Sequence, residues 1–206
     1  MGLASARFVA RLAVLALLFQ VSPQAQARAA QSHAAAIDAH PVGTPTTIII
    51  EFGEQYLGST LYDARITVLE VERGDKAWAL VKQASDSNPS PKPGDEYLLA
   101  RVRFEFSART SPAQDNYDLN ETQFTATDSA GREFTAPALT ACPEPRLNGI
   151  LKPGDSLEGW LAFLVPQKVS KPLMVFREDV GQVSHRGGGT WFHLYTPSGS
   201  GASAKP

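Results

Sequence analysis

A single cysteine, Cys142, in 206 residues rules out an intramolecular disulfide, so apolar burial has to hold this chain together. Basic blocks are also missing. With 19 lysines and arginines against 21 acidic residues, the formal net charge is −2, which gives no electrostatic footprint for nucleic acid or an anionic membrane. Long hydrophobic runs are scarce as well. The clearest one, residues 12–21, is shorter than the ~20 residues that span a bilayer, so no membrane span is expected in the mature chain. No segment shows a convincing helical period.

That short apolar run has the flanks of an export signal. Arg7 and Arg11 stand on its N-terminal side, and Ala25, Gln26 and Ala27 supply small residues where a signal peptidase cuts. Residues 1–27 therefore read as a signal peptide cleaved before Arg28. No cysteine at the junction could carry a lipid, and the product is expected to be soluble, secreted or periplasmic. Residues 28–45 are Ala-rich and polar, without a period, and read as a linker. His33 and His40 within it have no carboxylate cluster beside them to suggest a metal-binding tail. Residues 197–206, rich in Ser and Gly, read as a disordered tail.

Between these ends, residues 46–196 alternate short β-rich segments with turn signals. Residues 46–52 carry three successive isoleucines, a β-branched run too short for a helix. In residues 62–71, Ala64, Ile66 and Val68 share one face. Residues 78–81 are expected to form a short strand or edge piece. The strongest pattern follows: Leu98, Ala100, Val102, Phe104 and Phe106 on one face, opposite Arg101, Arg103 and Glu105, as in a strand buried on one side.

Residues 124–127 and 133–135, joined through Asp128 and Gly131, read as a hairpin with Gly where positive φ is needed. Residues 151–176 then run as turn, strand, turn, strand. Leu157, Gly159, Leu161, Phe163 and Val165 alternate with Glu158, Trp160, Ala162 and Leu164, and Pro166 and Pro172 mark strand ends. The four-residue turn Lys-Pro-Gly-Asp occurs at 92–95 and again at 152–155, launching a strand each time; shared turn chemistry explains the recurrence. A last strand is expected over residues 190–195. The fold class is all-β, an immunoglobulin-like antiparallel sandwich of about seven to nine strands, with a small barrel as the competing architecture.

Three stretches recur in a recognisable order. They are Gly94 to Phe106 with its alternating strand, the spacing Phe124-Asp128-Gly131-Phe134, and Leu151-Pro153-Gly154-Gly159-Phe163-Pro166. The order resembles a bacterial family of exported domains of unknown function, grouped with the mycobacterial immunogenic secreted protein. The resemblance covers roughly residues 61–194 and implies an immunoglobulin-like sandwich, secretion and an extracellular or surface binding role. Its motifs are turn and core residues, so it offers no catalytic set. The chain departs from some relatives in lacking a lipid-attachment cysteine after its signal.

Four chemical readings remain. Gly154-Asp155-Ser156-Leu157 matches the GDSL signature of esterases and lipases. A hydrolase, however, needs nucleophile, base and oxyanion donors together, and Asp179 and His185 stand at the wrong spacing for the late partner pair. Chance turn chemistry is the preferred reading, and the protein is expected not to be an enzyme, with a serine hydrolase using Ser156 as the alternative. Asp115, Asp118 and Glu121 gather carboxylates near Asn116 and Asn120 and could hold Ca²⁺, although the spacing fits no EF-hand; a solvated acidic loop is the plainer account. Cys142 with Met174, His185 and His193 offers the residue types of a copper site. The residues after Cys142 lack the downstream histidine and methionine that such a site needs. Finally, Trp191, His193 and Tyr195 share one face of the last strand and, with Trp160, could form an aromatic strip for a sugar or peptide; ordinary sheet packing competes.

The expected function is thus a non-catalytic exported binding domain for a protein or envelope component. No cofactor and no nucleic acid are implied, and a monomer is expected. Metal or small-ion binding is the weaker alternative.

Overall fold

The computed structural model describes residues 38–54, 58–178 and 189–196; the export-signal residues 1–27, Asp179, His185 and the tail 197–206 lie outside them. Nine strands pair antiparallel throughout the described residues. The chain runs β1 (Thr46–Glu54), β2 (Gly58–Arg73), α1 (Asp75–Ala84), β3 (Asp95–Ala108), β4 (Tyr117–Leu119), β5 (Phe124–Thr127), β6 (Gly149–Leu151), β7 (Ser156–Pro166), β8 (Leu173–Phe176) and β9 (Thr190–His193). Strands β1-β2-β3-β7 form one sheet in that order, β5-β8-β9 a second, and β4-β6 a two-stranded piece.

The two larger sheets form a sandwich because their alternating apolar faces meet. Ala64, Ile66 and Val68 of β2, the even-numbered apolar residues of β3, and Leu161, Phe163 and Val165 of β7 are buried against Phe124, Ala126, Met174, Phe176 and Phe192 of the facing sheet. Phe104 lies 5.8 Å from Phe176 across the interior and stacks on Tyr117 at 5.3 Å. At about 1.5–3 kcal/mol for each large apolar side chain buried, this interior supplies what disulfides do not.

Both Lys-Pro-Gly-Asp segments close as turns. Asp95 N–H donates to the Lys92 carbonyl and Asp155 N–H to the Lys152 carbonyl, both at 2.9 Å. Gly94 and Gly154 sit at φ +91° and +102°, positions only glycine takes without strain. On the solvent face, Arg101 and Arg103 both pair with Glu158, and Arg65 faces Glu105.

Three expectations need correction. Residues 78–81 are not a strand; they lie inside helix α1. Only Trp78 and Val81 favour a strand, whereas Ala77, Ala79, Leu80, Lys82 and Gln83 are helix formers; Ala77 and Val81, one helical turn apart, bury onto Tyr97 and Leu99 on the outer face of β3, while Trp78 stacks on Tyr97 at 5.6 Å. Burial at the 3.6-residue period and local helix propensity act together here. The hairpin after β5 is shorter than expected: Gly131 turns at φ +71°, and pairing ends after a single bridge between Thr127 and Glu133. Asp128 fixes the turn by accepting from the N–H groups of Ala130 and Arg132 and from the Arg132 guanidinium. The last strand stops at His193 rather than Tyr195.

The end of the expected linker is held to the domain. His40 N–H donates to the Trp191 carbonyl at 2.8 Å and its own carbonyl accepts from His193 N–H at 2.9 Å, so a short parallel bridge covers the outer edge of β9.

Candidate functional site

Each large sheet has an edge on the same side of the sandwich, β7 for the four-stranded sheet and β5 for the three-stranded one. Between these edges opens a cleft of about 290 Å³. Phe124, Thr125 and Ala126 of β5 form one wall, and residues 160–163 of β7 form the other. The connection that follows the hairpin adds Phe134, Pro137, Leu139 and Cys142.

That connection is held at several points. Phe134 N–H donates to the Ala126 carbonyl at 2.8 Å, fixing its start to the β5 edge. The buried Asn88 side chain donates to the Val81 and Ala141 carbonyls and accepts from the N–H groups of Thr140 and Ala141, which fastens the middle to the end of α1. Farther on, the Pro145 carbonyl accepts from Trp160 N–H at 2.7 Å, and Leu147 is fully buried. Gly159 allows this approach, because a Cβ there would collide with the Arg146 carbonyl group and the Leu147 nitrogen.

The wall is mostly apolar and its charges cancel. Glu121 pairs with Arg146 at 2.5 Å, and that contact raises the Arg146 pKa. Burial, reinforced by the nearby Glu121 carboxylate, pushes the Cys142 thiol up from its usual range. A thiol held protonated is a poor nucleophile. The arrangement suits an uncharged apolar group more than acid–base or nucleophilic chemistry.

Three residues considered separately in the sequence, Trp160, Glu121 and Cys142, line this one cleft. The rest of the aromatic strip lies elsewhere. Trp191, His193 and Tyr195 belong to β9 and its end, in the other sheet from Trp160. His193 and Tyr195 do stack, with centroids 4.7 Å apart. The three carboxylates of the acidic loop are not drawn to one point. Asp115 accepts a hydrogen bond from the Tyr62 hydroxyl at 2.7 Å, Asp118 is exposed on β4, and Glu121 faces Arg146. Among the described residues no group of three or more His, Cys, Asp or Glu is placed to hold a metal ion. Ser156 is exposed at the start of β7, just after the second turn, while the described histidines, His40 and His193, flank the far sheet edge.

The cleft itself escaped sequence reading. Its one advance signal is composition: a connection carrying Phe134, Pro137 and Leu139 is too apolar to be fully solvated.

Comparison with known families finds a match over residues 59–184 to a family described as a domain of unknown function, DUF4352. Among solved structures, the chain is similar to the yjhA protein from Bacillus subtilis at 15% identity, covering 71% of this chain and 87% of that chain with a TM-score of 0.42. No curated protein matches.

Proposed function

The chain belongs to DUF4352, a family of unknown function, and we propose that it is a non-catalytic exported binding domain that takes an uncharged apolar group into the cleft between β5 and β7. The observation that carries this reading is the cleft's makeup: a mostly apolar space whose one carboxylate, Glu121, is paired with Arg146, with the half-buried Cys142 in its wall. Pockets of this kind gain affinity from apolar burial and orientation from a few polar groups, here the Thr122 and Thr125 side chains and exposed strand-edge backbone.

Export to the periplasm or beyond rests on the Arg7 and Arg11 flank, the apolar run and the Ala-Gln-Ala junction. The finer kinship with the mycobacterial immunogenic secreted protein belongs to this proposal too, and it agrees with an extracellular role. Against catalysis stands the position of Ser156, on an exposed turn with neither described histidine on its sheet. Against Ca²⁺ stands the engagement of Asp115 with Tyr62 and of Glu121 with Arg146.

Thermal unfolding of the exported protein with decanoate and with a capped valine–threonine pentapeptide tests the cleft. A bound probe at a hundred times its dissociation constant adds about 2.7 kcal/mol of stability. Ala136 is exposed at the cleft wall, so Ala136→Trp fills the space without touching the core, and the shift should vanish in that variant. A shift that survives Ala136→Trp, or no shift with either probe, contradicts the proposal.

A further inference from the structure

The order in which residues line the cleft says more than their polarity. Neighbouring side chains of a strand point to opposite faces, so a space lying over one face touches every second residue. This cleft touches four consecutive residues of β7, Trp160 to Phe163, and three consecutive residues of β5, Phe124 to Ala126. It lies beside the two edges, at the level of the sheets, where a next strand would run about 4.8 Å away.

The hydrogen-bond alternation of the edges agrees. Phe106 N–H donates to the Asp155 carbonyl and Phe106 accepts from Gly154 N–H, so even-numbered residues of β3 bond to odd-numbered residues of β7. The backbone of even-numbered β7 residues therefore points away from β3, as Trp160 N–H shows by reaching the Pro145 carbonyl. Ala162 and Leu164 follow the same parity, and their N–H and C=O groups meet no hydrogen-bond partner among the described residues. On β5, Arg177 N–H bonds to the Gln123 carbonyl, so odd-numbered residues serve β8, and the Phe124 carbonyl and Ala126 N–H face outward.

We infer that the partner of this cleft is an extended peptide segment of another protein, which adds to the β7 edge as a strand, pairs with Ala162 and Leu164, and lays an uncharged apolar side chain toward Phe124 and Phe163 on the inner side of the cleft. The inference rests on the binding role proposed above and names its partner class. An acyl chain fills the same space but offers nothing to the two N–H and two C=O groups of the edge, which a strand satisfies in full. Because Arg146 compensates Glu121, the wall favours no charge on the inserted side chain.

The test follows backbone amide resonances of the ¹⁵N-labelled exported protein with three probes: the capped valine–threonine pentapeptide, the same peptide N-methylated at alternate residues, and decanoate. The unmodified peptide should shift the Ala162 and Leu164 amides and slow their hydrogen exchange at least tenfold, and N-methylation should weaken binding at least tenfold. Equal binding of the N-methylated peptide overturns strand addition. So does decanoate in the cleft with both peptides inert, an outcome that leaves the binding role standing. If neither peptide nor decanoate perturbs residues 160–164, the binding role falls as well. Ala162→Pro, which removes one edge donor, should weaken the peptide at least tenfold if its unfolding midpoint is close to wild type; the N-methylated arm does not depend on that variant.

Discussion

At the scale of single residues, His193 links the end of β9 to pH. Burial first, then the neighbouring His40 and Lys171, lower its pKa from 6.5, and its buried Nδ1 has no hydrogen-bond partner among the described residues. As pH falls through 6.5 the unfolded chain takes up this proton while the folded chain resists. The unfolded state then binds more protons, so stability present above pH 6.5 is lost on acidification. His193→Asn should flatten the decline in unfolding free energy between about pH 7 and pH 5. Identical slopes in the variant and the wild type would show that His193 does not titrate differently in the two states. Asp128 works the same way at lower pH. Burial opposes its ionisation, but the N–H groups of Ala130 and Arg132 and the Arg132 guanidinium hold its carboxyl below the usual range, so its support persists above about pH 4 and is lost below.

At the scale of elements, the connection between the hairpin and β6 depends on one side chain. Asn88 makes two donor and two acceptor contacts, three of the four to Thr140 and Ala141, and it is buried. Asn88→Ala should cost about 1–3 kcal/mol in chemical denaturation, because buried backbone groups are left unpaired. It should also weaken the pentapeptide, since the wall from Phe134 to Cys142 loses its anchor. A loss under 0.5 kcal/mol, about the scale of an ordinary surface substitution, would mean that the connection is held otherwise. This dependence was not legible in advance: Asn88 stands in a Ser/Pro/Asn loop and looks like a turn former. The strands β2, β3 and β7 were legible because each carries apolar residues at a period of two on the face turned to the interior, although β3 also buries Tyr97 and Leu99 on its outer face. Helix α1 was not, because five consecutive apolar residues, Ala77 to Val81, mask the helical period, and the surface that buries Ala77 and Val81 is Tyr97 and Leu99, contributed by β3.

At the scale of the whole molecule, a sandwich follows from alternating strands, but the way its edges are protected does not. One edge of the smaller sheet is covered by His40, and β7 is touched by Pro145 only at Trp160. Edge exposure depends on how loops return to the sheets, and sequence pattern carries little of that. For this reason the sequence left open whether Trp160 could extend a strip of Trp191, His193 and Tyr195, which the structure places in the other sheet.

Amide hydrogen exchange of the free protein, resolved residue by residue along β7, tests directly whether this edge is open. Ala162 and Leu164 should exchange at least tenfold faster than Leu161 and Phe163, whose N–H groups bond to β3. Equal protection at all four would mean that the edge is already paired, and the cleft would then not be the position of an added strand.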